Sequence, residues 1–223
     1  MMEIWSWIKT LEDRVEETFG DRLVCFGLQG SFARGEANEE SDIDAVLILD
    51  TVSMDDLHTY REILKWLPHR DKVCGFVSGK EELEKWDRAD LFQFCMDTQV
   101  IRGSLDFVKS KVSMDDIRRS VHIGACNLYH GAVHGMMHKQ NMVAMAKLYK
   151  SAFFVLQTHY YVKTGLYIRS YRELAECVTG NERQIIYDAI ALKNGSESDG
   201  FVELARRMID FSGALIREYG ENE

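Results

Sequence analysis

The hydrophobic period of this chain changes once, near residue 110, and the change limits it to an α/β sheet domain followed by an all-helical one. Before that point, apolar runs of strand length at 23–28, 43–49, 73–77 and 91–96 alternate with helical patterns. Ile4, Trp5, Ile8, Leu11 and Val15 repeat at helical spacing over residues 3–18, and Gly20 closes that helix. A second helix is expected over about 54–67, with Ser53 as its N-cap and Pro68, the only proline, just past its end. A short helix near 81–86 separates the third and fourth strands. Ser113 can cap a helix whose first turn carries Asp115 and Asp116, which suits the helix dipole. From there helices are expected near 114–139, 142–163, 170–178, 182–193 and 200–219, packed as a bundle. The expected domains are therefore 1–110, α/β, and 111–223, helical.

Charge narrows the partners. The 36 acidic side chains outnumber the 27 basic ones, the formal charge is −9, and no run of Lys or Arg makes a basic patch. Such a surface repels a polyphosphate backbone, which argues against nucleic acid and for a cationic or neutral small molecule, or a protein, as partner. The five cysteines (Cys25, Cys74, Cys95, Cys126 and Cys177) are odd in number and form no Cys-x-x-Cys pair. Three of them fall in expected strands, and all read as reduced structural residues. No apolar run approaches the roughly 18 residues that span a bilayer. The N-terminus turns acidic and amphipathic too soon for a signal peptide. A cytoplasmic protein without membrane association is expected.

The chemistry concentrates in Gly30-Ser31-Phe-Ala-Arg34-Gly35, followed after an acidic loop by Ser41-Asp42-Ile43-Asp44. The first strand runs into Gly30, which can take backbone angles closed to other residues. A Gly-Ser turn there can aim backbone N–H groups and a hydroxyl at a phosphate, and Arg34 sets a fixed positive charge nearby. Asp42 and Asp44, at i and i+2 on a strand, point to one face and are hard oxygen ligands for Mg²⁺. Ile43 points the other way, and residues 45–49 continue as a buried apolar strand.

Gly-Ser, ten residues, then Asp-x-Asp resembles the signature of the DNA polymerase β-like nucleotidyltransferases. The fuller motif is similar to the minimal nucleotidyltransferases and to the kanamycin-type antibiotic nucleotidyltransferases, several of which carry a helical bundle after the catalytic domain. The resemblance implies a mixed sheet with flanking helices and a Mg²⁺-dependent transfer of a nucleoside monophosphate, AMP from ATP in the expected case, to an acceptor hydroxyl. In that reading Asp42 and Asp44 hold Mg²⁺, while Gly30, Ser31, Arg34 and Ser41 contact the nucleoside triphosphate. The acceptor is a small molecule, aminoglycoside-like in the simplest case, and a homodimer is compatible because related enzymes dimerise.

Family members usually carry a third carboxylate on the neighbouring strand, where this chain has Cys74 or Gly75. Asp71, Asp97 or an acid of the helical half could take its place. Asp97 is preferred, as a catalytic residue at the end of the strand expected over 91–96. On the helix near 142–163, Lys147, Lys150 and Gln157 fill one narrow polar arc, and Lys150 above all is expected to reach the triphosphate, as lysines of C-terminal helices do in the family. His130, His134 and His138 share one face of the preceding helix and read as a polar face, with no Glu to complete a metal motif. Two other functions stay open: modification of a protein acceptor, and nucleotide binding without turnover, which the missing third acid favours.

Overall fold

Strands β1 (Leu23–Gln29) and β2 (Ile43–Leu49) form the centre of a four-stranded sheet of order β3-β2-β1-β4, with β3 (Val73–Gly79) and β4 (Gln99–Gly103) at the edges. This computed structural model describes residues 3–196 and 199–220. β2 pairs antiparallel with β1 and parallel with β3, and β4 pairs antiparallel with β1. The sheet is therefore mixed, as expected. Its two central strands are buried on both faces, which is why they read as unbroken apolar runs.

Helices α1 (Ile4–Phe19) and α3 (Met54–Lys65) cover one face. There Trp7, Ile8, Leu11 and Val15 meet Phe26, Leu28, Ile43, Ala45, Leu47 and Leu49. The other face is covered by α4 (Lys80–Glu84), α5 (Arg88–Asp97) and α6 (Asp106–Lys109), whose Leu83, Leu91, Cys95 and Val108 pack on Cys25, Val46 and Ile48. Each fully buried aliphatic side chain of β2 contributes roughly 1.5–3 kcal/mol. Ser53 caps α3 as expected, in a reciprocal capping box with Asp56.

The fourth strand lies later than the sequence pattern suggested. Residues 91–96 belong to α5, whose N-cap Asp87 accepts a hydrogen bond from the Ala89 N–H. Buried Ala89, Leu91, Phe92 and Cys95 repeat at helical spacing once the three residues before Leu91 are counted. A six-residue apolar window is too short to separate the two periods. The strand is Gln99–Gly103, on an edge, with Val100 40% exposed, so it lacks the apolar run that marks a buried strand.

The chain divides at Val112 and Ser113 into two compact units. The second consists of α7 (Met114–Met137), α8 (Met142–Thr164), α9 (Tyr171–Cys177), α10 (Gly180–Lys193) and α11 (Phe201–Tyr219). Its core joins Val121, Ala125 and Leu128 of α7 to Tyr149, Phe153 and Leu156 of α8 and to Leu204, Met208 and Phe211 of α11. Ser113 caps α7 through a second capping box, with Asp116. Among the described residues no helix is long and apolar enough to cross a membrane.

Candidate active site

At the end of β1 the chain turns directly into α2 (Gly30–Ala33), a single helical turn closed by the Arg34 N–H on the Gly30 carbonyl at 3.2 Å. Gly30 permits this with φ +72°, a left-handed angle that costs glycine little. It also lies against Asp44. A Cβ added at residue 30 would stand 2.8 Å from Asp44 Cγ and nearer still to Oδ2. The antiparallel pairing of Gln29 with Asp44 brings the turn and the carboxylate together. Any side chain at position 30 would displace that carboxylate.

Asp42 is exposed just before β2, Ile43 is fully buried, and Asp44 is half-buried as the second residue of the strand. Ser31 is half-buried in the first turn of α2, where helix N–H groups have no intrahelical partner. The Ser41 hydroxyl accepts from the Asn38 N–H at 2.9 Å and donates to Asn38 Oδ1 at 3.1 Å. The structure thus uses Ser41 to close the acidic loop that leads into β2.

Arg34 and Asp97 meet. The Arg34 side chain is only 6% exposed, with Nη1 3.8 Å from Asp97 Oδ2 and Nε 3.6 Å from Glu36 Oε2. Asp97 is therefore no strand residue: it is buried at the last position of α5 and ion-paired. Gln29 ties that end of α5 to β1, its Nε2 donating to the Phe94 carbonyl at 3.1 Å and to Thr98 Oγ1 at 2.7 Å. α5 packs on the sheet face that holds Val46 and Ile48. Asp44 precedes Val46 by two residues, so it points to the same side.

In the second unit Lys147 and Lys150 are both exposed on α8. Gln157 does not share their surroundings. It is fully buried and donates to the Ile168 carbonyl at 2.7 Å and the Arg169 carbonyl at 3.3 Å, holding the segment before α9. The narrow polar arc expected from the sequence is thereby corrected, because the exposed side of α8 also takes in Val143, Ala144 and Ser151. Val143 reads as core surface by residue type, yet it is 68% exposed. His130, His134 and His138 are exposed, with successive ring centroids 6.0 and 4.5 Å apart.

The cysteines divide. Cys25 and Cys95 are buried, whereas Cys74, Cys126 and Cys177 are exposed, and all five are free. Burial pushes the Cys25 thiol up to about 12 and the Cys95 thiol up to about 11, so both stay protonated. Sequence reasoning passed over Gln29 and Glu36 at the site. Their positions flanking the Gly-Ser turn were the available signal.

Residues 8–96 match the family model described as the nucleotidyltransferase domain. A search of curated proteins found no match. Among solved structures, the chain is similar to spectinomycin adenyltransferase AAD(9) from Enterococcus faecialis, solved with ATP and spectinomycin. The TM-score is 0.55 at 12% identity, over 96% of this chain and 99% of that one. A nucleotidyltransferase-like protein from Exiguobacterium sibiricum 255-15 aligns over 95% of this chain and 74% of its own at 7% identity. Its TM-score is 0.36. The domain match and the shared fold agree with the resemblance read from the motif, and residues 8–96 carry a nucleotidyltransferase domain.

Proposed function

We propose that this nucleotidyltransferase moves AMP from ATP onto a hydroxyl of a small-molecule acceptor, with release of pyrophosphate. The observation that carries the reading is the packing of the Gly30 turn directly against the Asp44 carboxylate. It joins a glycine turn to a carboxylate at one end of the sheet.

The donor set fits a magnesium ion shared with substrate. Asp42 and Asp44 offer hard oxygens, and Mg²⁺ ordinarily binds through one or two carboxylates plus substrate phosphates and water. Among the described residues no group of three or more His, Cys, Asp or Glu is placed to hold an ion alone, so triphosphate oxygens would complete the shell. When bound, the ion would neutralise charge on the phosphoryl group and the leaving pyrophosphate. The chain's own residues supply placement. Gly30 leaves the space that lets the Asp44 carboxylate stand beside the turn. Ser31 and the opening N–H groups of α2 would receive the β- and γ-phosphates. Arg34 acts at one remove, since its guanidinium faces Glu36 and Asp97 and so braces the turn against the end of α5. Asp97 is accordingly a positioning residue in this reading. Lys147 and Lys150 are the cations of the helical unit proposed to add charge at the triphosphate.

The formal charge of −9 favours a cationic acceptor over nucleic acid. The similar adenyltransferase was solved with ATP and spectinomycin together, which makes aminocyclitol and aminoglycoside antibiotics the first acceptors to try. Free cysteines and ATP as substrate suit the cytoplasm. The test is incubation with labelled ATP, Mg²⁺ and a panel of such acceptors, analysed by mass. A product heavier by one AMP, with pyrophosphate formed in equal amount, is expected. A labelled protein band instead would assign a protein acceptor. The reading without turnover has one observation in its favour, the absence of an acid in β3. Nucleotide binding with no labelled product of any kind would select it.

A further inference from the structure

The Gly-Ser turn hangs from the last residue of β1, and that residue is held unequally on its two sides. Towards β2, Gln29 is paired with Asp44, but towards β4 the ladder ends one residue earlier, at Leu28 and Gln99. The Gln29 side chain continues the attachment. Its Nε2 donates to the Phe94 carbonyl at 3.1 Å and to Thr98 Oγ1 at 2.7 Å, while Thr98 Oγ1 donates to the same carbonyl at 2.6 Å. A carbonyl only accepts, so this network fixes which end of the amide faces α5. Phe94 lies in the last turn of α5, where carbonyls lack a partner within the helix, and Gln29 caps that end from a neighbouring strand. Thr98, the C-cap of α5, is 3% exposed and set close to β1. An added Cβ at Gly27 would lie 2.8 Å from Thr98 Cγ2. Methyl and hydroxyl of Thr98 are thus both held by β1.

We infer that Gln29 is a positioning residue for the nucleotide, which by capping α5 fixes where the Gly30–Ser31 turn starts and so where it stands against Asp44. The inference rests on the site reading given above. Gly30 is the joint of the turn, and a glycine at φ +72° lends it no stiffness of its own. What precedes the joint must therefore be held from outside. At the far end of the turn Arg34 Nη1 lies 3.8 Å from Asp97 Oδ2, so both ends of α2 lead to the same corner of α5. The sheet does not ask for an amide here. β1 is apolar from Leu23 to Leu28, and a leucine at position 29 would serve the strand as well. Only the attachment to Phe94 and Thr98 requires a donor.

The test compares the wild-type chain with Gln29→Leu, Thr98→Val and Thr98→Ser, each checked for folding by thermal melting. The readouts are hydrogen–deuterium exchange of residues 30–35 and the affinity for a non-hydrolysable ATP analogue with Mg²⁺. Gln29→Leu removes both hydrogen bonds at similar size. It should speed exchange in 30–35 while the rest of the first unit keeps its protection. It should also weaken nucleotide binding by about three- to tenfold, the scale of one net hydrogen bond. Thr98→Val should act in the same direction, and Thr98→Ser, which keeps the hydroxyl, should lose less. If either the turn exchange or the affinity is unchanged in Gln29→Leu, the inference is overturned. Faster exchange spread evenly over the first unit overturns it as well, because that is loss of stability and not of placement. If Gln29→Leu does not fold, the two Thr98 variants decide, and equal losses in both overturn the inference. Asp44→Asn separates the two readings. If it abolishes Mg²⁺-dependent nucleotide binding while Gln29→Leu leaves that binding intact, only the inference about Gln29 fails. If Asp44→Asn binds as the wild type does, or the wild type binds no nucleotide, the site reading fails and the inference goes with it.

Discussion

In the first unit the polar groups that matter sit at the ends of strands, half-open to solvent, whereas in the second they are closed inside helix packing. Asp44 stands at the start of β2 against the Gly30 turn, and Asp42 just outside the strand is exposed. In the helical unit, buried Gln157 donates to two backbone carbonyls and Tyr149 donates to the Leu204 carbonyl at 2.9 Å. A polar group wholly answered by its own protein has nothing left for a ligand. The difference therefore separates side chains closed inside the packing from side chains that stay open to solvent.

The largest effect should come from the open end of the sheet. Asp44→Asn is expected to cut Mg²⁺-dependent transfer by on the order of 100-fold or more, as loss of a charged metal ligand costs several kcal/mol of transition-state stabilisation. Its melting temperature should stay near that of the wild type, and Asp42→Asn should behave alike. Metal-dependent nucleotide binding that survives in both variants would remove the first half of the comparison.

A substitution in the closed unit should act on stability alone. Phe153 is fully buried and stacks on Tyr171 with ring centroids 3.5 Å apart. Phe153→Ala is expected to destabilise by about 3–5 kcal/mol, read from urea unfolding at constant m-value. A loss under about 1 kcal/mol would mean that this core is packed far more loosely than its burial indicates.

The pH dependence of stability should trace in part to α3. Asp56 bonds to Arg22 at 2.7 and 3.0 Å and closes the capping box of Ser53, and these contacts, Arg22 first, hold its carboxyl well below the usual range. A depressed folded-state pKa means stability that is present above the unfolded value of about 3.9 and is lost as pH falls below it. The wild-type chain should therefore melt at a lower temperature at acid pH than at neutral pH, and Asp56→Asn should narrow that difference. An equal acid response in both proteins would place it elsewhere.

The smallest effect is expected at the lysines of α8. Both are exposed, so any contact with a triphosphate is screened by solvent, and Lys150→Met should weaken triphosphate binding by less than about tenfold. Binding of the nucleoside without phosphates should not change. Lys147→Met, one turn away, is the control, and equal losses for both would make α8 a general electrostatic contributor with no specific contact.

Much of the fold and of the site is legible in the residues alone. Gly30, Ser31, Asp42 and Asp44 stand out by residue type and spacing, and Ser53 and Ser113 announce their helices because capping is a matter of three or four neighbouring residues. The failures also have local reasons. Residues 91–96 are apolar enough for either period, and only Asp87 and Ala89 upstream tip them into α5. On α8 the exposed Val143 and the buried Gln157 both run against their usual preference, so a reading by residue type misplaces the polar side.

The sequence by itself determined which elements form in most of the chain and where the glycine-dependent turn falls, because capping, periodicity and such a turn act over a few residues. Tertiary structure alone decided what stands beside what. Strand register put Cys74, and not Gly75, next to Asp44. The packing of α5 on the sheet brought Asp97 to Arg34 across more than sixty positions. Such pairings depend on which buried faces fit together, and one strand read alone does not contain the register of its neighbour.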